Sequence, residues 1–351
     1  SVIFMSAFET ASHRPAYEPF GAFRLLLAVF VITGHLFLLG PESDAVKALG
    51  LDDTGVALFF IISGYIIFSA YDHFYRGRTF KFAINRLLRI YPLFWVVFVF
   101  TFFPAVWLDV SSVQNYTFVE FFGDFMLFGR YFQTSSLPTM QQGWSLIVEL
   151  QFYFAAFLFF AIGERVNFNT WLYRGLFIGV IVAYILIWST GSNARFFGGL
   201  TWGPMFLLGV SVYRFKKHGV FSKELFFWIV IFTLFSIHQY FMAHIFSITP
   251  KNYFDPAIQI FVVVTGGFFW LVSPYRKALP KAIDSYLGDL AYPVFLIHFP
   301  IIYILSFTKP LSSLTMMVLA TLMTFVLSIL SVHWVEPFIN RLRDRFRGQK
   351  L

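Results

Sequence analysis

The chain has 351 residues, 58% of them hydrophobic and 13% charged, with a net charge of +8 and no cysteine. Soluble domains carry about a quarter charged residues, so this composition excludes an ordinary soluble protein and points to a polytopic membrane protein. The missing thiol excludes disulfides, thiolate metal sites and a cysteine nucleophile, and the positive charge reads as a basic cytoplasmic face against anionic membrane lipid.

Residues 1–20 are polar and irregular, broken by Pro15 and Pro19. They read as an N-terminal cytoplasmic tail with no cleavable leader. Apolar runs near the required length of about 17–25 residues follow. They lie at 22–40, 55–71, 90–107, 144–162, 172–190, 198–213, 225–244, 256–273, 290–307 and 312–335. The stretch 117–133 is also apolar, but Glu120, Asp124 and Arg130 interrupt it, so it is expected as an interfacial or re-entrant helix. The expected fold is an all-α, polytopic membrane bundle of about ten transmembrane helices plus that one extra helix. With the N-terminus cytoplasmic, the inside segments hold 21 of the 26 lysines and arginines. The outside ones hold only Lys47, Arg130, Arg195, Lys251 and Lys309. Charge bias therefore favours ten crossings with both termini cytoplasmic. The membrane domain is expected over 21–340 and a basic cytoplasmic tail over 341–351, with no internal repeat and no soluble domain.

Ionisable groups at membrane depth are costly and point to function. In "RLLLAVFVITGH" the run from Arg24 to His35 is apolar between its two polar ends. At about 1.5 Å per residue, His35 lies roughly 18 Å above the inner face of a core about 30 Å thick. Ser63, in "GVALFFIISGYIIF", falls about 12 Å below the outer face, and Glu149, in "GWSLIVELQFYF", about 8 Å below it. His298, in "AYPVFLIHFP", is a little deeper. Four helices thus bring four polar groups into the outer-to-middle layer. Imidazole suits acid and base work near neutrality, which singles out His35. A buried carboxylate such as Glu149 needs a partner or a proton-handling role. Ser63 reads more readily as a helix-bonded serine beside a packing glycine, Gly64, and His298 equally as a satisfied bundle histidine. A second cluster, "RGRTFKFAINRLLRIYPLFW", crowds Arg76, Arg78, Lys81, Arg86 and Arg89 into one inside loop. Arg86 and Arg89 share a helix face. The cluster is either the positive-inside signal alone or an anion clamp, since forked guanidiniums suit phosphate. It is too short for a nucleic-acid surface, which needs interleaved aromatics on an accessible face.

Taken together, Arg24-x10-His35, "FFIISGY" at 59–65, "NRLLRIYP" at 85–92, "WSLIVELQFYF" at 144–154, "YLGDLAYPVFLIHFP" at 286–300 and "VEPF" at 335–338 resemble acyltransferase family 3 in order and spacing. These are membrane-bound transferases that acylate sugars and related hydroxyl acceptors at cell surfaces. The resemblance covers about 20–340. It implies ten spans in the cytoplasmic (inner) membrane, an acyl-CoA donor reached from the cytoplasm, with acetyl-CoA the common expectation, and a carbohydrate or lipid-linked sugar acceptor met from outside. It carries catalysis onto His35 and donor binding onto Arg86 and Arg89. Arg24 is the cationic end of the Arg-x10-His pattern, and Glu149 the acidic position of the "WSL" segment. Some relatives append an extracytoplasmic domain that finishes the transfer. None is seen after "RLRDRFRGQKL", so transfer is expected inside the bundle or through a separate extracytoplasmic transferase.

Joined to this resemblance, His35 is the expected general base, with Glu149 orienting or charge-balancing it. Ser63, Trp144 and backbone amides are candidates for the oxyanion, and His298 for the substrate or the oxyanion. No metal is expected. Arg24 to His35 would then measure, over about 16 Å, the gap between phosphate anchor and reacting carbonyl. An acyl-histidine and direct transfer both remain open. The rival readings are a proton-coupled transporter or flippase for a glycolipid or small metabolite, disfavoured by the lack of repeated halves, and a non-catalytic sensor or scaffold.

Overall fold

The computed structural model describes residues 20–36, 51–107, 117–128, 140–163, 198–218, 279–306 and 312–347, with the single positions 39, 178 and 182. Among them the secondary structure is helical, without strands: α1 (Gly21–Leu36), α2 (Leu51–Ala70), α3 (Thr79–Trp107), α4 (Phe118–Phe125), α5 (Gly143–Gly163), α6 (Gly198–His218), α7 (Lys281–Ser306), α8 (Ser313–Trp334) and α9 (Glu336–Arg347). A single π-helical turn, Tyr71–Tyr75, extends α2. Five of these are long and apolar enough to cross a membrane: α2 with its extension, α3, α5, α7 and α8. α1 is apolar but shorter. The expected spans at 225–244 and 256–273, and nearly all of 172–190, lie outside the described residues, so the count of ten is not reached here.

The chain divides into two compact units. One comprises Ser1–Asp52, Phe80–Leu150 and Arg276–Leu351; the other comprises Asp53–Thr79 and Gln151–Tyr275. In the first, α7 is the buried centre and α8 the periphery, with 72% and 22% of their apolar windows covered. α8 turns Leu314, Val318, Leu322, Val326 and Leu330 outward, an apolar face that suits lipid.

α1 and α7 are parallel and in register. The Asp284 carboxylate accepts from the backbone amides of Gly21 (2.9 Å) and Ala22 (2.8 Å), capping α1 with a residue of α7. Fourteen residues along each helix, roughly 21 Å, His35 meets His298. Close approach requires glycine at the capped end. A Cβ on Gly288 would stand 2.9 Å from Gly21 Cα, and one on Gly21 would strike the Asp284 backbone. In the second unit Gly64 of α2 and Gly209 of α6 play the same part, each facing a backbone carbonyl of the other helix, Phe206 and Ile61. At the end of that pair Asp72 accepts from Tyr213 Oη (2.6 Å) and pairs with Lys217.

α4 is eight residues, about 12 Å, too short to cross. A capping box between Thr117 and Glu120 starts it. Its apolar face packs on α3: Phe125 stacks on Trp95 at 5.3 Å between centroids, and Phe121 meets Phe102 edge to face at 4.9 Å. Trp95 Nε1 donates to Phe125 O and Tyr91 Oη to Met126 O, each at 3.0 Å. Polar tips of half-buried aromatics thus satisfy the carbonyls at the end of a short helix.

Candidate functional site

The two histidines form one unit. His298 is fully buried on α7, and its Nδ1–H donates to the carbonyl of Phe295 at 2.6 Å. A carbonyl only accepts, so that proton is fixed on Nδ1, and Nε2 of the neutral ring carries a lone pair. His35 Nδ1 lies 2.9 Å from this Nε2, so His35 donates. The His35 proton is thereby held on Nδ1 and its Nε2 is left as the basic atom. The rings are nearly parallel, 16° apart, and Phe299 meets the His35 ring edge-on at 5.2 Å.

His35 Nε2 faces a carboxylate. Asp52, in the first turn of α2, stands with Oδ2 at 3.9 Å, an ion-pair distance beyond hydrogen bonding. Gly34 makes the approach possible, for a Cβ there would lie 2.7 Å from Asp52 Cβ. The sequence gives no hint of Asp52, which sits in a polar stretch seventeen positions from His35. Glu149 is half-buried on α5. It stands seven residues, about 10 Å, along α5 from Gln142, where this segment meets α7.

That meeting has a cause in the sequence. Pro300 has no N–H, so the carbonyl of Leu296 loses its helical donor. Gln142 replaces it, its Nε2 donating to Leu296 O at 2.7 Å. Gln142 is 2% exposed, and the bond brings the start of the "WSL" segment to within two residues of the level of His298. Trp144, one of the oxyanion candidates, follows half-buried. Ser63 is half-buried on α2 beside Gly64, in the second unit.

Toward the other end of α7 stand the arginines. Tyr286 of α7 meets His333 of α8 at 6.1 Å, which puts the following α9 at the start of α7. Asn85 Nδ2 of α3 donates to Arg343 O of α9 (3.0 Å), and Tyr292 Oη of α7 donates to Ile90 O of α3 (2.8 Å). α3 therefore runs along α7 in the same sense. Arg86 is buried, with its guanidinium 5.5 Å from the Phe82 ring centroid; Arg89 is half-buried. Counting four residues from Arg86 to Ile90 and six from Tyr292 to His298, the axial separation is about 15 Å. Arg24 is half-buried on α1, and its Nη1 would lie 3.7 Å from a Cβ placed on Gly288. Among the described residues no three His, Asp or Glu side chains are grouped to hold a metal ion.

No curated protein and no solved structure matches the chain. A family model described as "Acyltransferase domain" matches residues 20–333, nearly the whole chain. It takes in the parallel pair α1 and α7, both histidines and the arginines of α3, and by it the chain belongs to acyltransferase family 3.

Proposed function

We propose that this integral membrane protein transfers an acyl group, acetyl by expectation, from acyl-CoA at the cytoplasmic face to a hydroxyl of a carbohydrate or lipid-linked sugar acceptor at the outer side of the inner membrane. Family membership makes it an acyltransferase, and its apolar helices make it a membrane one. The finer reading is carried by one observation: the Phe295–His298–His35 chain of hydrogen bonds leaves His35 Nε2 as an available base.

His35 Nε2 takes the proton of the acceptor hydroxyl as the oxygen attacks the thioester carbon. The new C–O bond forms, and charge collects on the former carbonyl oxygen. Ser63, Trp144 and backbone amides are the candidates that would stabilise it. When the C–S bond breaks, the His35 imidazolium returns its proton to the leaving thiolate, giving ester and free thiol. Asp52 favours the transient imidazolium, and Glu149 is proposed as a second acidic group of the path. Arg86, Arg89 and Arg24 hold the donor's phosphates, which cannot enter the apolar layer. Two rises support this arrangement: about 16 Å along α1 from Arg24 to His35, and about 15 Å from Arg86 to His298.

Cytoplasmic termini and ten crossings are supported by the lysine and arginine bias and by the parallel α1 and α7. Parallel spans require an odd number of crossings between them, as the ten-span reading has. The test is reconstitution in proteoliposomes with acyl-CoA, read by mass spectrometry of the acceptor glycan. A fixed mass increment, lost by about 10²–10⁴-fold in rate in H35A, is expected. Proton-driven uptake with no acylated product would replace the enzyme reading by a carrier, and full activity of H35A would remove the base.

A further inference from the structure

α9 is amphipathic, and its inward stripe is Glu336, Ile339 and Arg343. Arg343 is 6% exposed, an unusual setting for a guanidinium. Its Nη1 donates to Asn340 Oδ1 at 3.1 Å, while its buried Nε has no partner. Its backbone is pinned to α3 by Asn85, the residue next to Arg86. Burial foremost, and then the charges of Arg347, Arg89 and Arg86, push the Arg343 pKa well below the usual arginine value, against the pull of Glu336. A guanidinium keeps its proton in proteins, so Arg343 is buried as a cation. Arg347 already holds Asp344 at 3.1 Å. An anion beside the Arg343 guanidinium, whose Nε has no partner, would offset the cost of that buried charge, and a phosphate group suits forked donors.

We propose that Arg343 of α9 joins Arg86, Arg89 and Arg24 as a further cation of the phosphate site, so that the C-terminal helix helps to bind the donor. The proposal rests on the donor reading above and deepens it. The family model, which ends at residue 333, gives no indication of it. Phosphate recognition of this kind would serve the nucleotide end of a CoA thioester; an anionic lipid headgroup has the same chemistry, and the experiment separates the two.

The full chain in nanodiscs of neutral lipid is titrated with adenosine 3′,5′-bisphosphate by calorimetry, and Tm is recorded for each variant. R343Q is expected to weaken binding roughly ten- to a hundredfold, the loss of one charge-assisted contact. R345Q, on the exposed side of the same helix, is expected to bind as the parent does. R343K, which keeps the charge but not the fork, should fall between them with an unchanged Tm, and it carries the test if R343Q does not fold. Weakening in R86Q with parental binding in R343Q or R343K overturns the role of Arg343 and leaves the donor site standing. Parental binding in R86Q and R343Q together removes the donor reading itself. Bisphosphate binding that disappears on adding phosphatidylglycerol assigns the arginines to lipid and overturns the proposal.

Discussion

At the scale of the residue, the working part of the site is a proton placed by a hydrogen-bond chain. Phe295 O can only accept, His298 therefore accepts at Nε2, and His35 keeps Nε2 as its basic atom, the one the proposed reaction would use. In H298A the His35 tautomer is no longer fixed, and kcat is expected to fall roughly 10²-fold with little change in KM. H298Q, whose amide oxygen can accept from His35 Nδ1, should recover part of that loss; equal loss in both variants would show that shape, not proton placement, matters. D52N should cost less, about fivefold at most, because the carboxylate is part-exposed and beyond hydrogen-bond distance. The two histidines were legible in the sequence because ionisable groups in apolar runs stand out. Asp52 was not, because a carboxylate in a polar stretch looks like any solvated one, and only the packing of Gly34 brings it to the ring.

At the scale of the element, seven of the ten expected spans fall on described helices, and five of those are long and apolar enough to cross, since hydropathy over some twenty residues is a strong signal. Their ends were less legible. α7 begins at Lys281, well before the apolar run at 290, because the polar stretch carrying Asp284 and Gly288 is spent on α1. No local pattern announces a cap whose partner is 263 residues away. The Pro300–Gln142 pair is similar: the missing donor can be read from the sequence, its replacement cannot. Q142L should destabilise the protein by about 1–3 kcal/mol by leaving Leu296 O unsatisfied in a dry place. P300A in the same chain restores a helical N–H, so the double variant should regain part of that stability, read as a positive coupling in Tm or denaturant midpoint. Strict additivity would mean that Gln142 does not serve that carbonyl.

At the scale of the whole molecule, orientation can be tested directly, because a chain without cysteine offers no background thiol. Single cysteines in place of Arg345 and of Lys309 should react with an impermeant maleimide from opposite sides, Arg345→Cys from the cytoplasm and Lys309→Cys from outside. Labelling from one side would change the number of crossings between them and with it the proposed donor face. The division into two units made of alternating stretches was not legible, since periodicity describes each helix and not its neighbours. That division bears on how the protein is made. The amides of Gly21 and Ala22 emerge from the ribosome long before Asp284, at about 5–20 residues per second a wait of roughly 13–50 s. Throughout that interval the leading amides of α1, at the end the charge bias places in the cytoplasm, must bond to water or another group, so the α1–α7 pair closes only late in synthesis.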